Sequence, residues 1–162
     1  MLKEKLQIDL NQALKTGETN KRLVLGMAMT AIKNKELGKR AQMSKSVSDL
    51  VELATQSLLG DDEIIEVIAS EVKKRREAID QFNAGQRPEL AQKEQAEIDI
   101  LMAYLPAQLS EEEIRGEIVK IITEIGAKDI KAMGKVISLA MPRLRGKASG
   151  EVISRIVKES LG

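Results

Sequence analysis

The chain reads as helix almost from end to end. Leu2, Leu6, Leu10, Ala13 and Leu14 recur at helical spacing among charged and amide residues, and Gly17 can stop the run. A second amphipathic stretch is predicted from Thr19 to about Leu37, with Leu23, Met27, Thr30 and Ala31 as its buried stripe and Gly38 as its stop. A shorter one, 48–59, closes at Gly60. Asp61, Asp62 and Glu63 then open a long helix that ends near Asn83, with Ile64, Ile65, Ile68, Val72 and Ile79 on its apolar face. Acidic residues at that end complement the helix dipole. Gly85 punctuates, and Pro88 suits the first turn of the next helix, which runs to about Leu105 before Pro106 breaks it.

Beyond Pro106 the pattern restarts. Ser110 and Glu113 have capping-box spacing just ahead of Ile114, Ile118, Ile121 and Ile122. The remainder predicts three short helices at 111–125, 129–141 and 150–161. The reading is therefore all-α, with a boundary at Pro106 to Leu109 that separates a multi-helix domain (1–106) from a three-helix domain (107–162). Gly26 and Gly134, inside helical patterns, are expected to permit close helix packing.

Composition narrows the chemistry. The core must be aliphatic, because Trp is absent and Tyr104 and Phe82 are the only aromatics. Stacking of single-stranded bases needs exposed aromatic rings, whereas recognition of a folded RNA by shape and backbone does not. With no Cys and no His, disulfides, thiolate metal sites, thiol nucleophiles and the usual neutral-pH base are all excluded. We expect no catalytic residue, no metal site and no cofactor. The segment MLKEKLQIDLNQALK alternates charge with apolar residues, unlike a signal peptide or a membrane span, and its acids argue against a transit peptide. A cytoplasmic protein without membrane association is the expectation.

Charge is distributed unevenly. The whole chain carries +1, yet Lys128 to Lys158 holds eight Lys or Arg against Asp129 and Glu151, a local +6. The centre of this stretch is MGKVISLAMPRLRGKASG (133–150), which reads as a turn between two helices. Lys147-Ala148-Ser149-Gly150 leads into a helix whose first N–H groups could meet a phosphate. Arg143, Arg145 and Lys135 lie nearby, so Lys135, Arg143, Arg145, Lys147, Ser149 and Gly150 form the candidate nucleic-acid site. The Lys73-Lys74-Arg75-Arg76 run points around its helix and reads as a solvated face. Lys21, Arg22, Lys33, Lys35, Lys39 and Arg40 make a looser basic surface. Ser44 to Ser48 lacks the oriented base and oxyanion donors of a Ser–Lys amidase. The acidic runs at 61–63 and 111–113 are best explained as helix starts. The methionines are read as gap-fillers of the core rather than as a protein-binding groove.

Four stretches together resemble the GatB/YqeY family: NKRLVLGMAMTAIKNKE (20–36), EVKKRREAIDQFNAGQRPELAQKEQAEI (71–98), LPAQLSEEEI (105–114) and MGKVISLAMPRLRGKASGEVISRIV (133–157). Gly134, Pro142, Gly146 and Gly150 match the family signature, and Lys135, Arg143, Arg145 and Lys147 fill its usually basic places. Ser149 stands where many members have Asp; either can cap a helix. The resemblance implies a two-part helical fold akin to the tRNA-contacting tail of the tRNA-dependent amidotransferase B subunit. It supplies no catalytic residues. The function it implies is a module that binds tRNA or another structured RNA. The alternatives are a protein-interaction accessory of an amidotransferase or synthetase complex, and a carbon–nitrogen ligase with glutamine as amido-nitrogen donor.

Overall fold

The computed structural model describes all 162 residues as eight α-helices, with no strand, in two compact units, Met1–Tyr104 and Leu105–Gly162. No helix is long and apolar enough to cross a membrane.

In the first unit, α1 (Leu2–Thr16) ends on Gly17 in the left-handed region at φ 75° and turns at once into α2 (Thr19–Met43). A short α3 (Leu50–Gln56) starts on Asp49, whose carboxylate accepts from the Val51 and Glu52 N–H groups. The hairpin partners α4 (Asp61–Ala84) and α5 (Pro88–Met102) follow, Pro88 sitting where its missing N–H would have had no partner anyway. Leu6, Leu25, Ile32, Ile64, Ile68 and Leu101 are fully buried among these helices. Each such side chain contributes about 1.5–3 kcal/mol relative to exposure. The acids at the start of α4 have structural tasks: Glu63 caps the Gly60 N–H at 3.0 Å, and Asp61 accepts from the Leu2 N–H at 2.9 Å.

Four expectations for this unit are corrected, the first being close helix packing at Gly26, where an added Cβ would meet nothing within 4 Å. The buried face of α2 is Val24, Leu25, Ala28 and Ile32, one residue round from the predicted stripe, so Leu23, Met27 and Thr30 are exposed and Ala31 is only half-buried. Gly38 does not stop α2. Lys3 grips Glu36 (2.6 and 2.8 Å) and Lys39 grips Glu63 (2.9 and 3.0 Å), tethering the helix on both sides of the glycine and offsetting its cost of about 1 kcal/mol. Arg75, expected on a solvated face, is buried. Its guanidinium donates to Glu97 (3.1 Å), to the Glu71 carboxylate (3.2 Å) and to the Glu71 carbonyl (3.2 Å).

The second unit is built from α6 (Glu111–Ile125), a 3-10 turn (Ile130–Ala132), α7 (Met133–Arg143) and α8 (Gly150–Leu161). Ser110 and Glu113 form the expected capping box, and Gly126 closes α6 at φ 64°. Ile114, Ile118 and Ile121 of α6 meet Val136, Ala140 and Leu144 and, from α8, Ile153, Ile156 and Val157, an all-aliphatic core. Pro142 lies in the last turn of α7, next to its final residue, and costs one backbone hydrogen bond where few remain to be made.

Candidate nucleic-acid interface

The α7–α8 turn is held from inside and from one flank. Leu144 buries its side chain in the core, and the Lys147 and Ala148 N–H groups both return to its carbonyl, at 3.0 and 3.3 Å. Gly146 is buried and adopts φ 69°, a left-handed conformation that favours glycine. The segment leading into α6 lies alongside: the Gln108 amide donates to the Gly146 carbonyl at 2.6 Å, and the Leu109 N–H to the Lys147 carbonyl at 3.0 Å. Ser149 then caps α8 by accepting from the Val152 N–H at 3.3 Å. The turn is a pre-shaped element with its backbone groups largely satisfied.

This frame sorts the predicted residues into two sets. Lys135 and Lys147 are exposed, and their ammonium groups form no ion pair. Arg143 is exposed but already held, donating through both terminal nitrogens to Glu124 at 3.1 and 2.7 Å. That hydrogen bond draws the Glu124 carboxyl below its ordinary range and raises the Arg143 guanidinium further. Arg145 is half-buried and engaged. Gly150 is exposed at the start of α8, but Glu151 occupies the same first turn and opposes an anion there.

Lys147, Ser149 and Gly150 share one turn with Arg145, while Lys135 lies eight residues before Arg143. That is about 12 Å along the α7 axis at ~1.5 Å per residue. The arrangement therefore cannot converge on one small anion. It suits a ligand with charges spread along its length. Two more lysines join the available set: Lys128 and Lys131 flank the start of the 3-10 turn, exposed and without ion pairs. The sequence placed them in the +6 stretch, but only the positions of the carboxylates show that the arginines are the occupied cations and the lysines the open ones. Arg155 illustrates the contrast, bonded to Glu111 and Glu159.

A two-unit helical protein whose C-terminal unit carries a shaped turn and a row of open lysines is thus defined by fold and surface. The chain belongs to the Yqey-like protein family, whose model matches residues 3–161. It is similar to "Altered inheritance of mitochondria protein 41, mitochondrial" of Pyrenophora tritici-repentis, at 29% identity over 106 residues, 63% of this chain and 58% of that protein. It is also similar to an uncharacterized protein of Schizosaccharomyces pombe, at 27% identity over 78 residues, 48% of this chain and 63% of that one. The matching stretches span about three-fifths of the length of these curated relatives.

Proposed function

We propose that this protein is a non-catalytic module that binds tRNA or another structured RNA, with 107–162 as the recognising domain. The observation that supports it is the set of exposed lysines without ion pairs, Lys128, Lys131, Lys135 and Lys147, in a stretch of net +6. Their spread from the 3-10 turn through α7 to the α7–α8 turn matches successive phosphates of a polyanion rather than a single ion. The lack of aromatic side chains in 107–162 favours recognition through backbone and shape over base stacking. Arg143 and Arg145 join once RNA phosphate competes with their present partners, and Ser149 and Gly150 hold the turn in shape.

Titration of bulk tRNA into the protein at two salt concentrations tests the proposal. Affinity is expected to fall with salt. Lys135→Ala with Lys147→Ala should weaken binding and flatten the log–log salt slope by about 1.5, at roughly 0.7–0.9 for each phosphate no longer neutralised. Arg143→Ala with Arg145→Ala should weaken it as well, with Arg143→Ala alone doing less than Lys135→Ala. Absence of binding at low salt, or the same slope in the lysine double variant, defeats this surface.

A further inference from the structure

The rotation of α2 leaves a groove in the first unit. Leu23, Gly26, Met27, Thr30 and Ala31 of α2 face Val67 and Ser70 of α4 across an open trough of about 820 Å³. Leu23 and Met27 are 54% and 53% exposed, too much for side chains that the unit uses in its own core. Gly26, Thr30 and Ala31 are the small residues of its lining, and Leu23 and Met27 the long apolar ones. No aromatic side chain lines it, so it offers a base nothing to stack on.

The charges round this groove are unequal in availability. Glu71 is occupied by Lys74 (2.6 Å) and Arg75 (3.2 Å), and Glu66 is engaged as well. Arg22, at one end of the α2 rim, forms no ion pair. Lys35, at the other end, feels Glu63 only at a distance, because Lys39 holds that carboxylate directly. Beneath Met27, one terminal nitrogen of the buried Arg75 has the Met27 sulfur at 4.0 Å as its partner, a weak acceptor. Open cations therefore mark both ends, while the carboxylates of the lining are taken.

From Arg22 to Lys35 is 13 residues, about 20 Å along α2 at ~1.5 Å per residue. That is the length of a helix of three to four turns. We infer that this groove receives an amphipathic α-helix of a partner protein, with an aliphatic stripe at i, i+3, i+4 and i+7 and acidic residues near both ends. Its apolar side chains pack over Gly26, Thr30 and Ala31 between Leu23 and Met27. Its terminal carboxylates meet Arg22 and Lys35. This surface is built from residues of the first unit only and does not depend on RNA binding by the second.

The test is selection of a phage-displayed library of random 16-residue peptides on the full chain, with excess tRNA present to occupy the basic surface. The leading peptide is then synthesised and its binding measured by fluorescence anisotropy. Enriched peptides should be acidic and amphipathic. Leu23→Asn with Met27→Gln should weaken their binding at least tenfold, with an unchanged circular dichroism spectrum. Arg22→Glu with Lys35→Glu should do the same, and lysines in place of the peptide's acidic residues should restore binding to that charge-reversed variant. Failure to enrich, enrichment of peptides without acidic residues, or equal binding to both variants overturns the inference.

Discussion

Arg75→Met removes the cation of the buried ion triad while keeping most of its aliphatic volume, so the loss reports charge rather than a cavity. The Glu71 and Glu97 side chains are only 11% and 14% exposed. Breaking a buried pair from one side typically costs ~3–5 kcal/mol, because the remaining charge is left uncompensated. Lys74 still holds Glu71 in the variant, and some solvent reaches both carboxylates, so the lower limit, about 3 kcal/mol, applies here. Urea unfolding followed by circular dichroism at 222 nm measures this as a lower midpoint at constant m value.

The pH dependence supplies a second reading. Burial pushes the Glu71 carboxyl up, but hydrogen bonds from Lys74 and Arg75 outweigh it and leave the group below its reference 4.5. In the native protein that contribution is complete above about 4.5 and is lost as pH falls through the lower folded value. In Arg75→Met the Glu71 carboxyl keeps Lys74 but loses Arg75, so its burial weighs more and it binds a proton more readily than in the native protein. The gap between the variant and the native protein should therefore narrow as pH falls below about 4.5, where the native contribution of Glu71 is itself lost. Arg75→Met combined with Glu71→Gln and Glu97→Gln should recover most of the loss. A deficit below about 1 kcal/mol, or one that does not change with pH, would show that the triad behaves as a solvent-screened surface pair and refute the reasoning.

Glu124→Gln releases Arg143 and should tighten tRNA binding with a steeper salt slope; an unchanged slope in the same titration would exclude Arg143 from the RNA-binding surface. Tyr104 is the only tyrosine, so alkaline difference absorbance at 295 nm follows one phenol. Burial, followed by its 2.7 Å hydrogen bond to Asp9, raises it, so its midpoint should exceed the ordinary value near 10 and drop in Asp9→Asn. Stability should correspondingly decline as pH rises past 10, since the unfolded chain ionises first. Gly146→Ala forces a Cβ into the left-handed region and should lower unfolding stability by about 1–2 kcal/mol, measured in urea.

Helix existence was legible wherever a punctuating residue had a local reason to act: Gly17 in a left-handed cap, Pro88 at a helix start, Ser110 with Glu113. It was less legible where the outcome depends on distant groups. Around α2 the apolar residues Leu23, Val24, Leu25, Met27, Ala28, Met29, Ala31 and Ile32 leave two overlapping stripes, and only the helices packed on it choose between them. The same dependence governs Gly38, secured by Lys3 and Lys39 through groups on other elements, and Arg75, whose Glu97 partner is 22 residues away. The i, i+4 spacing of Glu71 and Arg75 was the one local hint. At the candidate site the sequence located the cations but could not sort them, because the carboxylate that neutralises Arg143 sits 19 residues earlier, on α6.

The two bonds from Gln108 and Leu109 to the α7–α8 turn bear on where this protein can be cut. Helix α6 begins at Glu111, and a fragment begun at its cap, Ser110, retains every helix of the C-terminal unit. Such a fragment nevertheless loses the partners of the Gly146 and Lys147 carbonyls, and with them the brace that shapes the lysine-bearing loop. A fragment begun at Leu105 retains both. Comparing the two lengths separates what the three helices supply from what residues 105–109 supply. The shorter piece should fold around the same isoleucine core yet present Lys147 on a looser loop.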